Sequence, residues 1–177
     1  MLTSVLAFTG TNIDDILVLA VLFSAASCRD RFRAALGYIS GVMGITALAA
    51  LAAGGLRLFS GDWLRLLGLI PIVMGIRALL RRDVDDSAAL RPSFTGTMLI
   101  TLGNGADNLG VYIPLFTRST PGEIALSALV FLVMAVCWAL LASRVASLPA
   151  LRRFIERRTR ILVPAVLILL GLYILLL

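Results

Sequence analysis

Six apolar runs, at about residues 2–28, 34–56, 63–80, 93–117, 122–143 and 161–177, take up most of this sequence. Each falls within or near the roughly 17–25 residues that a helix needs to cross the hydrocarbon core of a bilayer. The runs at 63–80 and 161–177 are the short ones, so their edges are the least defined. A chain that crosses lipid must satisfy its own backbone hydrogen bonds, and a single segment does this only as a helix. The expected fold is an all-α membrane protein of six transmembrane helices, forming one domain over residues 1–177. Composition points the same way: the chain is 60% apolar and 15% charged, with a mean hydropathy of +1.01. A soluble domain is about one-quarter charged. The first run is not read as a signal peptide, because no basic stretch precedes it and Asp14 and Asp15 interrupt it.

The formal charge of +6 comes from arginine alone. A basic balance of this size raises nucleic acid as a partner, but the arginines sit in short loops at the ends of the apolar runs. That placement encodes topology, and we read no nucleic-acid partner. Arg29, Arg31 and Arg33 lie in the first loop, Arg77, Arg81, Arg82 and Arg91 in or beside the third, and Arg144, Arg152, Arg153, Arg157, Arg158 and Arg160 in the fifth. Only Arg57, Arg65 and Arg118 belong to the second and fourth. Arginine-rich loops stay in the cytoplasm, which places both termini outside.

Two of the runs are broken by polar residues near their centres. The first holds Thr9-Gly10-Thr11-Asn12-Ile13-Asp14-Asp15, and the fourth holds Gly103-Asn104-Gly105-Ala106-Asp107-Asn108. Thr11, Asp14 and Asp15 have the spacing i, i+3, i+4, as do Asn104, Asp107 and Asn108, so each triplet crowds one helical face. Gly10, Gly103 and Gly105 each disfavour helix by about 1 kcal/mol relative to alanine, and Asn and Asp side chains compete for backbone hydrogen bonds. We therefore expect spans one and four to be unwound at mid-membrane, with freed carbonyls able to meet a cation.

The two breaks suggest a repeat. Aligning Asp14 with Asp107 sets Asp15 against Asn108, Thr11 against Asn104 and, in spans three and six, Pro71 against Pro164. Three spans repeated once invert the second copy relative to the first. The expected layout is a first repeat over about 1–82, a cytoplasmic loop over about 83–92 and a second repeat over about 93–177. Inverted repeats with matching broken helices point to a transporter's central site.

An aspartate at the centre of a span costs about 2.5–3.5 kcal/mol on insertion scales. Asp14, Asp15 and Asp107 therefore read as an ion-binding, proton-holding or water-lining set, with Asn12, Asn104, Asn108 and Thr11 as neutral oxygen donors beside them. The plainer reading has the acids protonated and the amides and hydroxyls tying up broken backbone. Histidine is absent, which removes the commonest metal ligand and proton shuttle near neutral pH. Cys28 and Cys137 show no pairing pattern, and a lone Cys137 reads first as a small hydrophobe. Met43, Met74, Met98 and Met134 read as packing residues. Tyr112 stands where it could gate the site, and Pro114 is expected to kink span four. Gly37-x-x-x-Gly41 gives span two a smooth face for close packing, within the chain or between the copies of a homodimer.

Taken together, Phe8-Thr9-Gly10-Thr11-Asn12-Ile13-Asp14-Asp15-Ile16-Leu17-Val18 and Asn104-Gly105-Ala106-Asp107-Asn108, continuing to Tyr112, Pro114 and Phe116, resemble the cadmium-resistance (CadD-type) transporters of the LysE-type exporter superfamily. The resemblance covers nearly the whole chain. It implies efflux of Cd²⁺, with Zn²⁺ as a second cargo, across a bacterial inner membrane. The residues themselves argue only for a divalent cation: oxygen donors suit Mn²⁺, Ca²⁺ or Mg²⁺ better than soft cadmium. No nucleotide-binding motif is visible, so proton antiport is the expected energy source, with no resident cofactor. Two alternatives stay open. One is export of another cation, Mn²⁺, Ca²⁺ or a cationic amino acid. The other is an intramembrane aspartyl protease with Asp14 and Asp107 as its dyad.

Overall fold

The computed structural model describes residues 1–24, 26–56, 69–70, 72–73, 76, 92–148, 165, 168–169, 171–172 and 175. All regular structure among them is helical. The six helices are α1 (Leu2–Asn12), α2 (Asp15–Ser24), α3 (Cys28–Leu56), α4 (Phe94–Asn104), α5 (Ala106–Thr117) and α6 (Pro121–Val145). Most of the third and sixth expected spans, and the arginines of the third loop and of 152–160, lie outside the described residues.

The helix starts follow from local chemistry. Ser27 caps α3: its hydroxyl accepts from the Asp30 backbone N–H at 3.3 Å and donates to the Asp30 carboxylate at 2.6 Å. Thr120 does the same work for α6 in a full capping box with Glu123, and Pro121 opens the helix where its missing N–H has no cost. At α4 the Ser93 hydroxyl accepts from Gly96 N–H at 3.0 Å.

By length and composition, α3 with 29 residues and α6 with 25 can each cross a membrane, and α1 and α2, bent by 52° at their junction, make a third crossing if counted as one span. Singly, α4 and α5 are too short to cross. The outward faces of the long helices are apolar: Leu36, Leu48 and Leu51 on α3, and Leu126, Leu129, Val133 and Leu140 on α6, are all exposed. A water-soluble protein hides such faces, whereas lipid accepts them.

Helix α3 packs chiefly on α4 and α5, and α6 packs on α2 and, more lightly, α1; α3 and α6 also meet. Side by side, α3 and α4 run in the same direction, because Gly37 abuts the Phe94 backbone, Gly41 abuts Met98 and Thr101, and Ile45 abuts Gly105. The same holds for α1 and α6, where Ser4 bonds Ser127 at 2.9 Å, Phe8 meets Phe131 and Trp138 reaches Asn12. A Cβ on Gly41 would stand 2.7 Å from Thr101 Cβ, and one on Gly37 would strike the Phe94 carbonyl. The smooth face of span two is thus used inside the chain. Association in a bilayer depends on such close approach, since lipid tails give helices no hydrophobic reason to pair.

Two of the helix boundaries recur at the same distance. Ser24 and Thr117, which end α2 and α5, are 93 positions apart, as are Cys28 and Pro121, which begin α3 and α6. The capping pairs Ser27–Asp30 and Thr120–Glu123 keep the same separation of 93.

Candidate functional site

The two polar motifs lie where the helices are interrupted. Helix α1 stops at Asn12 and α2 starts at Asp15; α4 stops at Asn104 and α5 starts at Ala106. Both interruptions are tighter than the unwound turns expected from the sequence. Ile13 (φ −67°, ψ −29°) and Gly105 (φ −71°, ψ −1°) keep right-handed backbone, and no described glycine has a positive φ. Gly105 is needed for room: a Cβ there would stand 2.5 Å from Ile45 Cδ1 on α3. The freed carbonyl at the first break also does not wait for an ion. Trp138 on α6 donates its indole N–H to the Asn12 carbonyl at 2.8 Å. Ile45 and Trp138 are themselves 93 positions apart, like Asn12 and Gly105, so each break is held by the corresponding residue of the other half's long helix.

A buried polar knot joins the two breaks. The Asn12 amide donates to Tyr112 Oη at 2.8 Å and to the Phe8 carbonyl at 2.9 Å. Thr11 Oγ1 bonds Tyr112 Oη at 3.2 Å and donates to the Ala7 carbonyl at 3.0 Å. Across the breaks, Asn108 Nδ2 donates to Asn12 Oδ1 at 3.2 Å. Aromatic rings seal the flank: Tyr112 lies 4.5 Å from Phe131, and Phe8 lies 5.4 Å from Phe131 and 5.7 Å from Trp138. Ring pairs at such distances add about 0.5–1.5 kcal/mol each beyond their buried area.

The acids stand around this knot. Asp14 and Asp107 come within electrostatic reach of each other, and Asp15 is within reach of Asp14. Asp14 is exposed, beside a knot whose own polar residues are buried. Asp15 and Asp107 occupy the first turns of α2 and α5, where the helix dipole favours negative charge. The C-terminal ends of α1 and α4 offer the opposite, cation-attracting pole.

The seven sequence-predicted residues thus divide by access. Asp14, Asn104 and Asp107 are exposed, while Thr11, Asn12, Asp15 and Asn108 are buried. Thr11 and Asn12 spend their polar atoms on the knot. Among the described residues, no three acid or sulfur side chains form a ready-made metal cluster. Cys137 is exposed. It lies two residues beyond Ala135 on α6, about 200° around the helix from the buried line Phe131, Ala135, Ala139 and Ala142.

Tyr38 is the residue that sequence reasoning missed. It is only 1% exposed on α3, with its hydroxyl beside Asp15. The signal available was slight, a tyrosine between Gly37 and Gly41 on an otherwise apolar face. Trp138 likewise carried no sequence signal of its part in holding the first break.

A family model described as "Cadmium resistance transporter" matches residues 8–177. The chain belongs to the cadmium resistance transporter family. That makes this family member a membrane transporter connected with metal resistance, and the acids at its two breaks lie inside the matched span. No curated protein and no solved structure matches the chain.

Proposed function

We propose that this protein is a secondary transporter that exports a divalent heavy-metal cation, Cd²⁺ with Zn²⁺ as a second cargo, across a bacterial inner membrane in exchange for protons. The observation that carries the reading is the approach of Asp14 to Asp107, one from each break and both exposed. Two carboxylates facing each other repel. A divalent cation between them turns that repulsion into attraction, and protons relieve it when the ion leaves. Exchange of metal for protons at one pair of acids is the simplest antiport cycle such a site allows.

The six-span inverted-repeat layout fits the packing. Helices α3 and α4 run side by side in the same direction, so the chain has to return to its starting side between them, which favours a third crossing over residues 63–80. The recurrence of helix ends and caps at a separation of 93 supports two repeated halves. Rocking of one half against the other would expose the acids alternately to the two sides. Asp14 and Asp107 bind the ion first, with Asn104 beside them, and Asp15 and Asn108 stand behind. Thr11 and Asn12, with their hydrogen bonds taken, hold the geometry.

The reading is tested by Cd²⁺ uptake into everted membrane vesicles. Wild type should accumulate the ion in the presence of a pH gradient and lose this with an uncoupler. Asp14→Asn and Asp107→Asn should each reduce the rate at least tenfold. Equal transport by Asp14→Asn and wild type would reject the role given to the pair.

A further inference from the structure

Two buried oxygen atoms have no hydrogen-bond partner at this site: Tyr38 Oη and Asn108 Oδ1. Their residues are 1% and 4% exposed. Native proteins leave few such atoms unpaired, and each one calls for an explanation. Both border the same knot. Tyr38 Oη stands at the edge of hydrogen-bond reach of the Asp15 carboxylate and within electrostatic reach of Asp14 and Tyr112. Asn108 bonds Asn12, which bonds Tyr112. Asp15 is itself 8% exposed. A carboxylate and a phenol oxygen therefore stand side by side, and an unpaired amide oxygen borders the same knot, all three buried.

The geometry points to a second, inner station for the transported cation, formed by Asp15, Asn108 Oδ1 and Tyr38 Oη and reached from the outer pair Asp14 and Asp107. This rests on the transporter reading above and adds an order of events to it. The accessible pair captures a hydrated ion. The buried trio takes it after some of its water has been shed, offering one charge and two neutral oxygens in place of the lost shell. Weak binding at more than one point lets an ion both enter and leave a pathway. The trio draws on both halves: Asp15 and Tyr38 come from the first, and Asn108 from the second. It is therefore placed to feel any movement of one half against the other.

The test is Tyr38→Phe, which keeps the ring and removes only the unpaired oxygen. Full-length protein in lipid nanodiscs is titrated with Cd²⁺, and flux is measured in everted vesicles. The dissociation constant should stay within about twofold of wild type, because the outer pair is intact. The maximum flux should fall about tenfold, the scale of taking one polar partner away from a charged centre. Removing an unsatisfied buried hydroxyl relieves a cost, so the metal-free variant should melt at or above the wild-type temperature. Asn108→Ser, which withdraws the amide oxygen, should show the same split between affinity and flux. Unchanged flux in Tyr38→Phe would overturn the assignment. So would a dissociation constant weakened in step with the flux, which would mean one site and not two. A lower melting temperature or a failure to fold would make the hydroxyl structural and overturn it equally. Failure of the transporter reading would appear differently, as absence of Cd²⁺ flux in the wild type itself.

Discussion

At the first break the decisive interaction is one indole N–H on one carbonyl. Trp138 satisfies the Asn12 carbonyl that the end of α1 leaves free, while its ring sits edge-on to Phe8. Trp138→Phe keeps a ring in place and removes the donor. The expected cost is about 1–2 kcal/mol, a fall of roughly 2–8 °C in melting temperature for a chain of this size, read by thermal unfolding in detergent. Cys137, next to it, should behave in the opposite way. Soft cadmium makes a thiolate ligand attractive in principle, but Cys137 is exposed and stands away from the packed line of α6. Cys137→Ser should leave Cd²⁺ flux within about twofold of wild type, and a tenfold loss would bring sulfur back into the site. The sequence alone could not assign the side of the helix on which either residue lies. That choice depends on the helical phase of α6, fixed by the buried line from Phe131 to Ala142. The acids and amides were legible because charge inside an apolar run has few reasons to be there. Tyr38 was not, because a tyrosine is ordinary in such a run and its meaning comes from Asp15 on another helix.

Among the helices, α3 and α4 show how small residues substitute for a hydrophobic effect that lipid does not supply. Gly37 faces the Phe94 backbone and Gly41 faces Thr101, while Gly54, Gly55 and Gly122 have open space where a Cβ would go. Gly37→Ala meets backbone, which no trimming of a neighbouring side chain can relieve, so α3 and α4 must move apart. We expect a loss of about 1–3 kcal/mol. Gly54→Ala and Gly122→Ala, with nothing to strike, should be neutral or slightly stabilising, since alanine favours helix by up to about 1 kcal/mol. Chemical unfolding of the three variants in matched detergent checks the contrast, and equal losses in all three would show that helix propensity and not packing governs. The glycine pattern announced a close approach, but only the fold could show that the partner is α4 of the same chain. The breaks were likewise legible in place and misjudged in form. Glycine and asparagine suggested unwound turns, yet Trp138 and Ile45 clamp each interruption to one or two residues of right-handed backbone. The glycine at position 105 turns out to serve room for Ile45, not a special φ.

The packing of the described helices is reciprocal. The long helix of each half lies along the broken helix of the other, α3 on α4 and α5, and α6 on α1 and α2. Among the described helices, the two breaks are brought together by this exchange. The exchange also limits topology. Helices that run side by side in one direction must enter the membrane from the same face, so α3 and α4 share one face of entry and α1 and α6 share one. A short connection joins α2 to α3, and another joins α5 to α6, so each of these pairs turns back on itself. On that pairing the loop at Cys28 and the loop at Ser119 are expected on opposite faces, and the arginines at 29, 31 and 33 predict the cytoplasm for the first. Cys28 is exposed, which makes the arrangement directly readable. With Cys137→Ser as background, Cys28 should react with a membrane-impermeant maleimide in everted vesicles and stay unlabelled in intact cells. In a background with both native cysteines replaced by serine, Ser119→Cys should show the reverse. Labelling of both positions from one side would break the parallel pairing of α3 with α4. Without that pairing the proposal that the two acid-bearing breaks belong to inverted halves would fail, and the proposed rocking exchange of access between the two sides would lose its structural basis.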